Sequence, residues 1–158
     1  MSNKIQIYTC QTSADFEIAK VITNDYMKWL GMDLSFQSTD KEFQIFDKMY
    51  GTPEGCFIYA KVGDRIAGGV GTRKIGKDIC EMKRLFVYNE FQGKGIGKLL
   101  SDKIIDISAQ MGYSKMRLDT IERLEKAISL YEKSGFYEIP AYYPNPDPTV
   151  KYFELALK

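Results

Sequence analysis

The sequence Gln92-Gly93-Lys94-Gly95-Ile96-Gly97 decides the fold, because a predicted strand precedes it and a predicted helix follows it. The strand covers residues 79–87 (ICEMKRLFV). The helix is indicated by apolar residues at helical spacing, which are Ile96, Leu99, Leu100, Ile104, Ile107 and Met111. Glycines let a backbone turn tightly and approach a ligand, and the first N–H groups of a helix favour an anion. Strand, glycine-rich turn and helix start together predict a phosphate-binding loop.

Three classes of phosphate-binding loop compete for this stretch, and residue spacing separates them. A Walker loop needs four residues between its first glycine and the Gly-Lys pair, whereas three separate Gly93 from Gly97-Lys98. The dinucleotide fingerprint is G-x-G-x-x-G near the first strand, whereas this chain has G-x-G-x-G after several predicted strands. The third pattern, [Arg/Gln]-x-x-Gly-x-[Gly/Ala], is satisfied by Gln92, Gly95 and Gly97. It resembles the acyl-CoA pyrophosphate loop of the GNAT superfamily of N-acyltransferases.

A second block, residues 127–136 (AISLYEKSGF), strengthens this resemblance. It is similar to the superfamily's other common signature, in which a short helix ends in Tyr-Glu-x-x-Gly-Phe. The interval between the two blocks leaves room for one helix and one predicted strand, residues 115–120 (KMRLDT), as the superfamily has it. The resemblance is specific for fold and cofactor and says almost nothing about the acceptor.

The size and charge of the chain predict one globular domain, 1–158. Its 158 residues are 44% hydrophobic and 27% charged, which are ordinary values for a chain with a full core. The net charge is +1 and the basic residues are dispersed, so we expect no nucleic-acid partner and no membrane partner. No apolar run approaches the length of a membrane span.

The cysteines and the absence of histidine restrict the chemistry. Cys10, Cys56 and Cys80 are an odd number without the spacing of a disulfide scaffold, which predicts reduced thiols and a cytoplasmic protein. Without histidine a Ser-His-Asp triad is excluded, and the dispersed cysteines give no structural zinc site. We therefore predict no metal.

The pattern along the chain predicts an α/β fold (an α+β mixed sheet) in the order β-α-α-β-β-β-α-β-α-β-β. The predicted strands are residues 5–10, 56–62, 65–73, 79–87, 115–120, 137–139 and 150–157. A first helix over 16–30 has Thr12 or Ser13 as its cap, and a capping box at 39–42 opens a second. Early hairpins and later βαβ-like units imply a central, mostly antiparallel mixed sheet flanked by helices. The GNAT resemblance further implies that the fourth and fifth strands separate, with the pantetheine arm of CoA between them.

The resemblance implies that acetyl-CoA is the co-substrate. Backbone N–H groups of the glycine-rich loop would hold its pyrophosphate, and the residues are Gln92, Gly93, Lys94, Gly95, Ile96, Gly97 and Lys98. For Lys94 a solvated helix face is an equally good interpretation. The strand end Leu85, Phe86 and Val87 would pair with the pantetheine amides through its main chain, and an N–H near its last two residues would serve the oxyanion. One position departs from the family pattern, because Leu124 stands where members often carry an asparagine that contacts the cofactor.

Two residues are the catalytic candidates. Tyr131 is the predicted general acid, since a phenol of pKa ~10 can protonate a departing thiolate whose thiol has a pKa of ~8.5. The alternative is a core residue, because it belongs to an apolar stripe over 124–131. Glu81 is the predicted general base for the incoming ammonium. The alternative is a cross-strand ion pair, because Glu81 alternates with Lys83 on the strand.

The acceptor site is expected on two segments rich in aromatic and amide side chains, 29–37 and 142–146. The candidates for acceptor binding are Arg84, Phe36, Tyr142 and Asn145. Arg84 and Arg117 have two interpretations. Either they bind an acceptor carboxylate, or they pair with carboxylates of the same strands, which are Asp119 and Glu81.

The sequence thus predicts an N-acetyltransferase that moves an acetyl group from acetyl-CoA directly to a primary amine. A small-molecule acceptor is favoured, because no acidic or basic docking groove is apparent. One alternative is acetylation of a protein lysine or N-terminus, and another is a non-catalytic acyl-CoA-binding regulatory module. A homodimer agrees with the family resemblance, although no sequence feature marks an interface.

Overall fold

The computed structural model describes residues 4–31, 42 and 44–157. The strands are β1 (Ile5–Thr9), β2 (Cys56–Val62), β3 (Arg65–Gly76), β4 (Ile79–Val87), β5 (Lys115–Ile121), β6 (Tyr137–Ile139) and β7 (Val150–Ala156). The helices are α1 (Ser13–Leu30), α2 (Phe46–Met49), α3 (Ile96–Gln110) and α4 (Glu125–Lys133), with a 3-10 turn at Asn89–Phe91. The predicted order of elements is confirmed. Of the predicted capping box at 39–42, all but Glu42 lies outside the described residues.

Within the described residues the seven strands form one sheet, in the spatial order β1-β2-β3-β4-β5-β7-β6. Neighbouring strands are antiparallel except for β4 and β5, which are parallel. Helix α3 joins that pair, since parallel strands need a crossover connection. The prediction of a mixed, mostly antiparallel sheet is therefore confirmed.

Helices cover both faces of the sheet, because successive strand side chains alternate between the faces. On one face α3 places Leu100 and Ile104 in a buried cluster with Met82 of β4. On the other face α1 places Phe16 in a second cluster with Phe57 of β2. Each apolar stripe that the sequence shows is thus buried against one side of the sheet.

Helix α1 is capped at both ends, and its N-cap is Thr12, one of the two predicted candidates. The Thr12 hydroxyl oxygen accepts a hydrogen bond from the Asp15 N–H (3.1 Å), and the Asp15 carboxylate accepts one from the Thr12 N–H (3.2 Å). At the other end Gly31 is left-handed (φ +71), and its N–H donates to the Met27 carbonyl. These caps fix the length of the helix whose last turns border the cleft described next.

Strands β4 and β5 pair over a short segment and then separate. Residues 79–81 pair with residues 115–117, whereas β4 continues to Val87 and β5 to Ile121. A bulge in β4 accompanies the separation, because Arg84 has φ +64 and the register against β3 shifts beside it. The separation that the resemblance implied is confirmed, and it opens a cleft in the middle of the sheet.

The described residues also bear on the requirements of a membrane-spanning helix and of a metal site. In the described ranges no helix is long and apolar enough to cross a membrane. In the same ranges no group of three or more Cys, Asp or Glu side chains is placed to hold a metal ion. The expectations of no membrane partner and no metal stay predictions.

Candidate active site

The glycine-rich loop before α3 has the backbone geometry of a phosphate site. Gly93 (φ +79) and Gly95 (φ +81) are left-handed, a conformation that other residues rarely adopt. A Cβ built on either glycine would meet nothing within 4 Å, so the loop surface is open. Gly95 caps the helix without a side-chain hydrogen bond, and the Leu99 N–H donates to its carbonyl. The helical N–H groups before Leu99 have no intrahelical acceptor and are placed to bind an anion.

The Gln92 side chain supports this loop from within. Its amide donates to the Val87 carbonyl (3.0 Å) and to the Asn89 side-chain oxygen (3.2 Å). These bonds join the start of the loop to the end of β4. The side chain therefore holds the loop in place, and the N–H groups that follow are the groups that a phosphate can reach.

The two lysines of the loop lie outside the cleft. The Lys94 ammonium sits 5.8 Å from the centre of the Phe91 ring. The exposed Lys98 pairs with Asp102 one helical turn further on, at 2.6 Å. Both lysines add positive charge near the loop, but neither lines the cavity.

A cavity of about 760 Å³ fills the gap between β4 and β5. Eight of the ten predicted cofactor residues line it, and they are Leu85, Phe86, Val87, Gln92, Gly93, Gly95, Ile96 and Gly97. Helix α1 contributes an aromatic wall, in which Tyr26 and Trp29 pack against each other (ring centroids 6.2 Å apart) and each lies 5.6 Å from the Phe86 ring of β4. The glycine-rich loop and the separated strands thus belong to one continuous site.

The main chain of β4 is available along this cavity. One edge of the strand pairs with β3 almost to its end, where Val87 lies opposite Gly68. The other edge pairs with β5 only as far as Glu81. Residues 82–87 therefore present N–H and carbonyl groups to the cleft, and an extended ligand with amide groups can pair with them as an added strand does.

Tyr131 lies at the cavity, on α4, at the edge of the core. Its ring packs edge-on against Phe136, with centroids 5.7 Å apart. No group in residues 4–31, 42 and 44–157 hydrogen-bonds to its hydroxyl. Burial raises the pKa of Tyr131 above its usual value, and the nearby Tyr26 and Asp119 raise it further. Tyr131 therefore carries its proton at neutral pH, which is the form that a general acid needs.

Glu81 is fully buried at the closed end of the cleft and does not line the cavity. Only 1% of its surface is exposed. Its Oε1 atom accepts a hydrogen bond from Arg73 at 2.9 Å, and its Oε2 atom accepts one from the Tyr142 hydroxyl. Lys83 is a more distant partner, with its ammonium 3.9 Å from Oε1. Glu81 therefore forms an ion pair, as the alternative interpretation expected, but its main partner is Arg73 and not Lys83.

Asp119 of β5 is a carboxylate that lines the cavity near Tyr131. Oδ2 accepts a hydrogen bond from the Tyr143 hydroxyl, and Oδ1 lies 3.7 Å from the Lys83 ammonium. A carboxylate has about four acceptor sites, so these contacts leave room for a ligand proton. Asp119 and Lys83 both line the cavity.

Sequence reasoning treated Asp119 and Lys83 only as ion-pair partners. The alternation in β5 already places Asp119 on the face opposite to Met116 and Leu118, which are core residues. What the sequence did not show is that β4 and β5 separate beside Asp119. Because of that separation, an ordinary polar strand position becomes part of a cavity wall.

The four acceptor candidates have different locations. Asn145 and Arg84 line the cavity. Tyr142 lies behind the cavity wall, where its hydroxyl binds Glu81. Phe36 lies outside the described residues. The structure therefore brings two of the four predicted acceptor residues to the site itself.

One of the two interpretations of Arg84 and Arg117 is wrong. They do not pair with Asp119 and Glu81. Arg84 pairs with Glu42 at 2.8 Å, and both side chains are buried. Arg117 pairs with Glu154 of the neighbouring β7 at 3.0 Å. The reason is the sheet order, because β7 follows β5 and places Glu154 directly opposite Arg117.

Solved structures of other proteins have the same fold. The crystal structure of a GNAT-family acetyltransferase from Staphylococcus aureus Mu50 is similar to this structure, with a TM-score of 0.79 at 23% identity over 98% of this chain and 100% of the other. The match supports a GNAT fold, as the sequence predicted.

The sequence comparisons define the family. The model of the acetyltransferase (GNAT) family matches residues 23–136. An uncharacterized N-acetyltransferase of Schizosaccharomyces pombe is 36% identical over 98% of this chain and 96% of its own length. An uncharacterized N-acetyltransferase of Dictyostelium discoideum is 30% identical over 88% of this chain and 93% of its own length. The chain belongs to the GNAT acetyltransferase family, and it is an acyltransferase.

Proposed function

We propose that this protein transfers an acetyl group from acetyl-CoA to the primary amine of a small molecule. The observation that carries the proposal is one continuous cavity, which is lined by the open glycine-rich loop and also by Tyr131 and Asp119. A donor that carries a pyrophosphate, an amide-containing arm and a thioester has a complementary group for each part of this cavity.

The donor is bound mainly by main-chain groups. The uncapped N–H groups at the start of α3 receive the pyrophosphate, where the helix dipole also favours negative charge. The free edge of β4 over residues 82–87 receives the amides of the arm. An N–H near Phe86 or Val87 then donates to the carbonyl oxygen of the thioester as negative charge develops on it.

The incoming amine is mostly an ammonium at neutral pH and must lose a proton before it attacks. Asp119 takes that proton in this proposal, which is supported by its position as a carboxylate of the cavity wall close to Tyr131. Glu81, the base that the sequence predicted, is separated from the cavity and accepts hydrogen bonds from Arg73 and Tyr142. It can serve only through an intervening group.

The amine nitrogen forms a bond to the acetyl carbon, and the carbon–sulfur bond breaks. The departing sulfur takes the Tyr131 proton, and the nitrogen releases its second proton, which restores the phenol. The net products are an acetamide, CoA with a free thiol, and the proton that the base returns to water.

The loop between β6 and β7 supports a small acceptor over a protein. Tyr142 and Tyr143 are held down by hydrogen bonds from their hydroxyls to Glu81 and Asp119. Both rings also pack against Tyr152, with centroids 5.2 and 5.4 Å away. An extended peptide needs an open groove here, whereas this loop is packed against the site.

Thermal denaturation with and without acetyl-CoA tests the donor. A ligand that binds only the folded state at 100 times its Kd adds about 2.7 kcal/mol to the free energy of unfolding. We expect acetyl-CoA to raise the midpoint and NAD or ATP not to. No shift at millimolar acetyl-CoA would contradict the proposed donor. A shift without release of free thiol on any amine would favour the non-catalytic alternative.

A further inference from the structure

Among the described residues, Lys83 is a buried cation with no acceptor within hydrogen-bond distance of its ammonium. Its side chain is 9% exposed and lines the cavity. The nearest acceptors are Asp119 at 3.7 Å and Glu81 at 3.9 Å, both too distant for a hydrogen bond. An ammonium has three N–H donors, and in the described part of the chain none of them is used. The ion pairs offset part of the cost of burying this charge, but the unused N–H donors on the cavity wall favour binding of an anionic group.

The bulge in β4 brings a second cation to the same wall. In a regular strand the side chains of Lys83 and Arg84 would lie on opposite faces of the sheet. The left-handed backbone at Arg84 (φ +64) breaks that alternation, and both residues line the cavity. Such a conformation is strained for arginine, and strain of this kind is common at binding sites.

Arg84 has donors to spare in spite of its ion pair. Glu42 accepts hydrogen bonds from its Nε atom (3.4 Å) and its Nη2 atom (2.8 Å). The guanidinium therefore keeps its Nη1 group for another acceptor. The ion pair with Glu42 also fixes the direction of the side chain, which favours binding of a planar anion.

The charges next to Lys83 decide which anion fits. Glu81 is matched by Arg73 at 2.9 Å, whereas the Lys83 ammonium and the Asp119 carboxylate lie 3.7 Å apart, beyond hydrogen-bond distance, and within the described residues keep unused donors and acceptor sites. A ligand that satisfies both must carry one negative and one positive charge a short distance apart. The phosphates of the donor are not candidates, because the glycine-rich loop lies beyond the other end of β4, about 13 Å along the strand by its rise per residue.

We infer that the acceptor is an amine that also carries a carboxylate, as an amino acid does. Its carboxylate binds Lys83, with the Arg84 Nη1 group as a second donor, and its ammonium lies at Asp119. This inference rests on the proposed function and specifies its acceptor. Lys83 then determines specificity, because it binds a part of the acceptor that does not react.

Matched acceptors test this inference on the unaltered protein. The twenty common amino acids are assayed with saturating acetyl-CoA and a free-thiol reagent. For each one that reacts, its carboxamide and its decarboxylated amine are compared with it. We expect kcat/KM to be about 10- to 100-fold higher for the amino acid than for either comparator, the range typical of a desolvated charge pair. The carboxamide amine is less basic and the alkylamine more basic, so basicity cannot explain a preference over both.

Variants connect the preference to one side chain. Lys83→Met should lower kcat/KM for the amino acid about tenfold or more beyond its effect on the carboxamide, mainly through KM, because any effect through the neighbouring Asp119 is common to both substrates. The control is Lys74→Met, because Lys74 is an exposed lysine of β3 that pairs with Glu54 away from the cavity. Lys74→Met should alter kcat/KM neither for the amino acid nor for the carboxamide. Equal loss for both substrates in Lys83→Met would overturn the inference, as would comparators that react as well as the amino acid.

The inference and the proposed function can fail separately. If amines without a carboxylate react best, the acetyltransferase proposal stands and the inference is wrong. If no amine reacts, the midpoint of thermal unfolding is measured with CoA present and with an amino acid or its carboxamide added. A larger rise with the amino acid supports the carboxylate site, and equal rises overturn it.

Discussion

Glu81 of β4 and Arg117 of β5 are the last residue pair before the two strands separate. Neither side chain binds the other. Glu81 is held by Arg73 on one side and by Tyr142 on the other, and Arg117 binds Glu154. The closed end of the cleft is thus built from ion pairs that cross between strands. Lys83 and Asp119 follow this closed end on the two strands, and they are the first residues of β4 and β5 after it whose charged side chains line the cavity.

The pH dependence of two variants separates the candidate bases. We expect Asp119→Asn to lower kcat/KM about 100-fold at pH 7, because the ammonium loses its proton acceptor. The deficit should shrink as pH rises toward the amine pKa of ~10, where the neutral amine is already present. Glu81→Gln leaves the Arg73 charge unmatched and should instead lower the free energy of unfolding by about 1–3 kcal/mol. A deficit in Glu81→Gln that shrinks with pH would return the base role to Glu81.

Substitution in the glycine-rich loop tests donor binding. Gly95→Asp puts a carboxylate where the pyrophosphate is expected and should abolish binding of acetyl-CoA in calorimetry. Gly112→Asp is the matched control, since Gly112 also has a positive φ (+99) and open space around it, at the other end of α3. Both variants carry the strain of a left-handed aspartate, about 1 kcal/mol. Only the loop variant should lose the ligand, and retained affinity there would contradict the assignment of the phosphate site.

Loss of one hydroxyl tests the general acid. Tyr131→Phe should reduce turnover about 100-fold or more and leave the affinity for acetyl-CoA unchanged, because the ring still fills its place in the core. Tyr113→Phe is the control. Tyr113 belongs to the same apolar cluster, but its hydroxyl donates to the Glu54 carbonyl away from the cavity. An unchanged rate in Tyr131→Phe would leave Tyr131 as a core residue only.

The sequence predicted the parts of this molecule that local patterns determine. Periodicity located the strands and helices, and the glycine pattern located the loop in which Gly93 and Gly95 have positive φ. The partners of Arg117 and Arg84 were not predicted. They depend on which strands are neighbours in the sheet and on a bulge, and both are properties of the whole fold.

The position of Asp119 in the site also could not be predicted from a local pattern. Its alternation on β5 indicated a polar face. Its position on a cavity wall follows from the short pairing of β4 with β5, which no local pattern encodes. Glu81 is the converse case, because its residue type suits a base but the fold encloses it between Arg73 and Tyr142.

The three cysteines should be nearly inert in the folded protein, which favours a free-thiol assay. All three are buried. Burial raises the pKa of Cys10 to about 12 and that of Cys56 to about 11, and it raises the pKa of Cys80 as well. Since a raised pKa means less thiolate at a given pH, the reactive fraction of Cys56 at pH 8 is only about 10⁻³. We expect Ellman's reagent to detect three thiols promptly in guanidinium and almost none in native buffer. Prompt reaction in native buffer would contradict the burial.

Two buried serines on α3 should respond to alanine in opposite directions. In the described structure the Ser101 hydroxyl has no hydrogen-bond partner, whereas the Ser108 hydroxyl donates to the Thr72 hydroxyl oxygen at 3.0 Å. Ser101→Ala removes an unsatisfied polar group and gains helix propensity, so it should raise the free energy of unfolding by about 1–2 kcal/mol. Ser108→Ala gains the same propensity but leaves Thr72 without this partner, so it should lower that free energy by about 0.5–1.5 kcal/mol.

Urea denaturation of both variants measures the difference. Each kcal/mol of unfolding free energy corresponds to about 2–4 °C in the thermal midpoint of a chain of this size, so thermal denaturation is a second measurement of the difference. The two substitutions share a helix, a residue type and complete burial, so propensity and solvation effects largely cancel between them. What remains is the hydrogen bond across the helix–sheet interface. Equal shifts in both variants would show that the Ser108–Thr72 bond adds nothing to the packing of α3 on β3.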